Sequence, residues 1–241
     1  MAGTVPIQHH ATTLDEFVAP IRERLGHGPG EPKPVFDASL TITPHVTDKL
    51  DRALLIERFC SEAAALGTEL SRCTSENLGR TLVHVVEQNG AGRIILPSEA
   101  RFDDLGLTQK LVAHAANDVH RWDPALGRDR NIEVAASANI GITFVYAGIA
   151  ETATVVQPCS PECGRSVSLL PSVHIAIIDA STIVPAMRDV LARLEEDRAA
   201  GKDIASQTVF ISGPSNTADI ELVRVEGVHG PTKVTYIIVE D

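Results

Sequence analysis

Arg93-Ile94-Ile95-Leu96-Pro97 reads as a buried strand, 98–116 as helix with a break near Gly106, and Val119-His120-Arg121-Trp122 as a second short strand. Strand, helix and strand in that order argue for a mainly parallel sheet, because parallel neighbours need a crossover and a helix is the usual one. Towards the N-terminus, Leu50, Leu54, Phe59, Ala63, Leu66 and Leu70 recur at near-helical intervals behind a Thr47 or Asp48 cap. A second helix starts near Ser75 and carries Leu78, Leu82, Val85 and Val86 to the Asn89-Gly90 stop. Towards the C-terminus, 123–131 reads as a surface loop around Pro124 and Gly127. Residues 141–156 read as two apolar strands joined at Glu151 and Thr152.

Val173 to Asp179 is a further buried strand. The helix after it takes Ser181 or Thr182 as cap, Pro185 in its first turn, and Ile183, Met187, Val190, Leu191 and Leu194 as its buried face. The chain closes with a strand, a turn through Gly227-Val228-His229-Gly230-Pro231 and a β-branched strand, Val234 to Val239. The domain so assembled spans 45–241. Residues 1–44 form an N-terminal arm, with a short helix from Leu14 to Leu25 and a linker rich in Gly and Pro from Gly26 to Pro34.

With 241 residues and 44% apolar content the chain can bury a full core. A formal net charge of -11, with no cluster of Lys or Arg to offset it, disfavours nucleic acid and anionic membrane surfaces as partners. The first ten residues lack the form of a signal peptide, and no stretch has the length of a membrane span, so the expected compartment is the cytoplasm. Cys60, Cys73, Cys159 and Cys163 are too few for a disulfide framework and are expected as reduced thiols. Cys159-Ser160-Pro161-Glu162-Cys163 resembles half a metal site, with no second pair at a matching distance. Aromatic residues, at 4%, leave little material for a base-stacking platform.

Chemistry is expected along Val209-Phe210-Ile211-Ser212-Gly213-Pro214-Ser215-Asn216-Thr217-Ala218-Asp219-Ile220-Glu221. There a short strand runs into a sharp turn, then into hydroxyl, amide and backbone donors suited to an anion, then into two carboxylates. In open α/β sheets ligands sit at the carboxyl ends of strands. The same hydroxyls also suit plain capping of local backbone groups. Asp219 and Glu221 share a face if the segment is extended, which suits a division of acid and base roles or the tethering of a loop.

Glu151 interrupts an apolar run beside Thr152 and Thr154. It reads either as a base or nucleophile with a raised pKa, or as a hairpin cap or partner of Arg165. His229, between glycines, either reaches a ligand or bonds backbone. The dinucleotide, Walker, nucleophile-elbow and zinc-protease motifs do not occur in the sequence.

Four segments in order, Ala150-Glu151-Thr152-Ala153-Thr154-Val155-Val156, Gly164 to His174, Ile211 to Glu221 and Gly227 to Pro231, resemble the lactate-utilisation protein C (LutC/YkgG-like, LUD-domain) family. The resemblance implies an α/β fold of the NagB/RpiA/CoA-transferase-like superfamily, with a Rossmann-like, mainly parallel sheet flanked by helices. It also implies a subunit or accessory protein, non-catalytic or co-catalytic, of a lactate-utilisation system that oxidises L-lactate to pyruvate with partner proteins carrying iron-sulfur clusters, with no cofactor in this chain. The alternatives are a stand-alone acyl, CoA or sugar-phosphate enzyme using Glu151, and a non-catalytic module that senses a small carboxylate or phosphate. The family usually has glycine where Ala153 stands, and a Cβ there disfavours positive φ.

Overall fold

The computed structural model describes residues 13–26, 28, 46–114, 117–218 and 224–241. The chain divides into two units, Met1–Thr43 and Pro44–Asp241. In the first, helix α1 (Leu14–Arg24) opens on a capping box, in which Thr13 Oγ1 accepts Glu16 N and Thr13 N donates to the Glu16 carboxylate.

The second unit begins with α2 (Arg52–Ala65), whose cap is Asp51, accepting Leu54 N at 2.9 Å. Then follow β1 (Glu69–Cys73), α3 (Leu78–Gln88), β2 (Gly92–Leu96), α4 (Arg101–Asp104), α5 (Leu107–Ala113) and β3 (Asn117–Arg121). Next come α6 (Gly127–Ala136), β4 (Ile140–Phe144), β5 (Ala147–Ile149), β6 (Thr154–Pro158), α7 (Ser166–Leu169) and β7 (Val173–Asp179). The chain ends through β8 (Ile183–Val184), α8 (Met187–Ala199), β9 (Thr208–Ile211), β10 (Asn216–Ala218), β11 (Arg224–Glu226) and β12 (Lys233–Val239).

Six strands form one parallel sheet in the order β1-β12-β7-β4-β2-β3. Alternation along β4, β7 and β12 sends Ile140, Ile142, Ile175, Ile177 and Ile237 to one face, where Leu82, Val86, Phe102 and Leu111 of α3, α4 and α5 cover them. Ala176, Ile178, Val234, Tyr236 and Ile238 point to the other face, against Phe59 and Ala63 of α2. That face also meets a second sheet of order β8-β5-β6-β9, in which β6 is antiparallel to both neighbours. Burial on both faces is why the central strands read as unbroken apolar runs.

The expected mainly parallel sheet flanked by helices is the architecture found. Four local expectations give way. The helix placed from Asp48 to Leu70 stops at Leu66, and Leu70 lies in β1, an edge strand whose Glu69 and Arg72 hide its strand character. Residues 127–136 are helix, because Asn131 Nδ2 satisfies the carbonyls of Asp123 and Gly127 at 2.7 and 2.9 Å and closes the first turn. The run 141–156 holds three strands. After β7, Ile183 and Val184 pair with β5 before α8 starts at Met187, so Pro185 precedes the helix.

One close packing in the sheet is testable against a glycine in open space. At Gly141, a Cβ would lie 1.9 Å from the Val167 carbonyl oxygen and 2.9 Å from Pro171 Cγ, so β4 and α7 approach as only glycine allows. Gly141→Ala is expected to lower the unfolding free energy by about 3 kcal/mol, at the upper end of overpacking costs. Gly67→Ala, at φ +79 in open space, is expected to cost only about 1 kcal/mol in the same denaturant titration.

His174 is fully buried, its Nε2 lies 2.9 Å from Thr143 Oγ1, and burial lowers its pKa from 6.5 to about 4. Between those values the unfolded chain binds more protons, so this contribution is complete above pH 6.5 and is lost as pH falls towards 4. The slope is up to about 1.4 kcal/mol per pH unit. His174→Gln is expected to flatten the acid side of the stability profile, read as the difference between the two proteins' unfolding free energies across that window.

Candidate functional site

The β5–β6 turn holds Glu151. Ala150 N and Glu151 N donate to the carbonyls of Val184 and Pro185 at 2.8 and 3.2 Å, which fastens the turn to the end of β8. Glu151 is half-buried and Thr152 exposed. Ala153 adopts φ +47 although it carries a Cβ, and its methyl is wholly buried against the core. The left-handed conformation costs roughly 1–2 kcal/mol, and burial of the methyl together with a hydrogen bond to the Ala153 carbonyl offsets it. The Cβ of Ala153 disfavours positive φ, and the position adopts it nonetheless.

That hydrogen bond comes from Tyr236, in the middle of β12. Its hydroxyl lies 3.0 Å from Ala153 O and 3.2 Å from Ile211 O, and it accepts Gly213 N at 3.2 Å. The phenol is almost wholly enclosed, and burial pushes its pKa up to about 12. Above it runs a chain of hydroxyls, with Thr152 Oγ1 2.6 Å from Thr154 Oγ1 and Thr154 Oγ1 2.6 Å from Ser212 Oγ. The structure thus joins the Glu151 turn to the Ser212-Gly213 loop across 58 residues of sequence. Nothing in the motifs flagged Tyr236. The available signal was a lone phenol in the apolar run Val234 to Val239, since a buried hydroxyl needs partners.

Beyond Gly213 the loop folds on itself. Ser215 N donates to Pro231 O at 2.9 Å, and Ser215 Oγ accepts His229 N at 3.3 Å, so these two predicted residues meet. Asn216 and Thr217 pair with Glu226 and Val225 in the β10–β11 hairpin. The donors of Gly213 and Ser215 are therefore satisfied within the protein. Asp219 and Glu221 lie outside the described residues. Arg165 is placed apart, exposed at the start of α7, where its backbone and charge act on Cys159. In the neighbouring hairpin, burial raises the Cys163 thiol to about 12 and Gln157 Nε2 donates to its sulfur at 3.1 Å, which makes it a packing group.

The position of the loop corrects one expectation. Strand β9 is an edge of the second sheet, and its carboxyl end reaches the amino side of the parallel sheet, with Gly213 over Leu66 and Thr68 ahead of β1. The carboxyl rim of the parallel sheet carries a different feature, a cleft of about 380 Å³. The direction in which successive strands are added reverses between β2 and β4, since β2 leads outward to β3 whereas β4, β7 and β12 step the other way. Arg101, just after β2, places its guanidinium carbon 4.3 Å from the Phe144 ring centre, and that of Arg193 lies 4.5 Å from the Tyr146 ring centre. Tyr146 Oη donates to Asp197 at 2.7 Å. Asp179, the last residue of β7, and Asp241, beyond the end of β12, complete the rim, and Ile177 and Val239 form its floor. Among the described residues no cluster of three His, Cys, Asp or Glu could hold a metal ion. No described helix is long and apolar enough to cross a membrane.

Known proteins resemble this chain over most of its length. The LUD domain family matches residues 56–239. Lactate utilization protein C of Geobacillus sp. (strain WCH70) is 44% identical over 190 residues, which cover 78% of each protein. That of Bacillus licheniformis is 37% identical over 237 residues, 94% of this chain and 96% of the relative. A DUF162 family protein from Deinococcus radiodurans shares the fold with a TM-score of 0.57 and 19% identity, covering 79% of this chain and 99% of its own.

Tyr236→Phe removes one hydroxyl and strands three backbone groups. We expect a loss of about 2–3 kcal/mol in unfolding free energy and, in hydrogen exchange, faster exchange at the Gly213 amide than at amides of β4.

Proposed function

Since the chain belongs to the LUD domain family, we propose that it is a component of a lactate-utilisation system, working beside iron-sulfur partner proteins in the oxidation of L-lactate to pyruvate. The observation that carries this reading is the 44% identity to a lactate utilization protein C over 78% of both chains. The cluster formed by Glu151, Thr152, Thr154 and Ser212 is assigned to this role as its acid and hydroxyl edge, with His229 and Ser215 on the adjoining loop. Two strands of a packed sheet hold these side chains, so a docked partner would meet a preformed surface.

Deleting the gene in the organism that encodes it is expected to abolish growth on L-lactate and leave growth on glucose intact. Wild-type complementation restores growth, and Glu151→Gln restores it only in part. Affinity purification of the tagged chain from lactate-grown cells is expected to bring down a protein with the visible absorbance of an iron-sulfur cluster. Unimpaired growth of the deletion strain on L-lactate would reject the reading.

A further inference from the structure

The carboxyl-rim cleft is too large for a three-carbon acid. At about 380 Å³ it falls within the range of roughly 300–1,000 Å³ that encloses cofactor-sized ligands. Its walls offer three kinds of group. Arg101 and Arg193 lie against ring faces, which orients their guanidiniums, and guanidinium recognises phosphate by paired hydrogen bonds. Asp179 is the last residue of the parallel strand β7; its Oδ1 accepts Ser181 N at 2.8 Å, and its Oδ2 has no hydrogen-bond partner among the described residues. A carboxylate in that position accepts from vicinal ribose hydroxyls in dinucleotide-binding sheets. The floor, with Ile177 and Val239, is apolar and suits a planar base.

We propose that this cleft binds a nucleoside phosphate, with its phosphate held by Arg101 and Arg193, its ribose diol by Asp179, and its base on the apolar floor. A bare anion would satisfy the arginines and leave Asp179 Oδ2 without a donor. A neutral nucleoside would do the reverse. A ligand carrying both groups matches all three kinds of wall, and the reversal of strand order at this rim is where open α/β sheets leave a crevice. The proposal goes beyond the lactate reading and does not depend on it, because binding is measured on the purified chain without lactate.

The test is calorimetric titration of the full chain with ADP, GDP, UDP, adenosine, inorganic phosphate and L-lactate. At least one nucleoside diphosphate is expected to bind at least about tenfold more tightly than adenosine, phosphate or lactate. Arg101→Gln and Arg193→Gln are each expected to weaken it about tenfold. Asp179→Asn is expected to weaken it similarly while leaving the affinity of the matching 2′,3′-dideoxy diphosphate unchanged. Lys233→Gln, at the amino end of β12, should have no effect on binding. Unchanged thermal midpoints without ligand establish that the variants are folded. No binding of any of the three diphosphates would overturn the proposal, as would affinity unaltered in the Arg101→Gln, Arg193→Gln double variant, or inorganic phosphate binding as tightly as the diphosphates.

Discussion

The Tyr236 hydroxyl is the contact on which the two sheets depend. A phenol in the middle of a buried strand must find partners inside the protein, and these partners are the Ala153 and Ile211 carbonyls and the Gly213 amide. One proton cannot serve two carbonyls fully, and the shorter distance to Ala153 fits the residue whose backbone is strained. Burial keeps the hydroxyl protonated, so the link does not weaken across the physiological pH range. Phe59 packs on the ring at 5.5 Å between centres, so α2, the parallel sheet and the second sheet meet at one side chain. Loss of that hydroxyl would therefore loosen the Glu151 turn and the Ser212 loop together.

Buried polarity elsewhere follows the same rule. His174 faces Gly141 across the β7–β4 pair and Thr143 faces Ala176, so their bond runs diagonally between the two strands, and the imidazole stays neutral because it is fully buried. His174 Nδ1 has no partner among the described residues, which leaves a desolvated acceptor or donor in the core. Such a group costs stability, yet it fixes the register of two central strands, since a slip by one residue would break the pair with Thr143.

Sequence revealed the parts of the fold that periodicity controls. The apolar runs at Ile94, Val173–Asp179 and Val234–Val239 announced strands of the sheet, and the helical stripe of α3 was equally clear. Short or polar elements escaped. Strand β1 carries charges at Glu69 and Arg72, three apart and out of step with a strand's period of two, and α6 depends on Asn131 bonding back to Asp123 and Gly127, a contact that no periodicity encodes. At the site, local order was legible and sheet membership was not. The run Val209–Ile211 looks like any strand entering a loop, and only its pairing with β6 shows that the loop opens on the amino side. The rim cleft was hidden for the opposite reason, because Arg101, Phe144, Asp179 and Arg193 follow different strands and converge only through the sheet order.

Electrostatics then separate the two sides. The chain carries a net charge of -11, which would repel small anions from an average surface. At physiological salt, however, exposed charges beyond about 8 Å are largely screened, so the groups within one ligand diameter decide. On the amino side the donors of Gly213 and Ser215 are engaged internally, and the hydroxyls of Thr152, Thr154 and Ser212 bond one another. On the carboxyl side, Arg101 pairs with Glu99 in an exposed contact at 2.9 Å, a kind of pair worth only about 0–1 kcal/mol. Its cation is therefore held in place by the Phe144 ring more than by its counter-charge, and an incoming dianion displaces Glu99 at little cost. The rim thus sets two guanidiniums beside the carboxylates of Asp179 and Asp241, a mixed lining that favours a ligand carrying both anionic and donor groups, while the amino-side cluster, already satisfied, is better suited to meeting a surface than to capturing an ion.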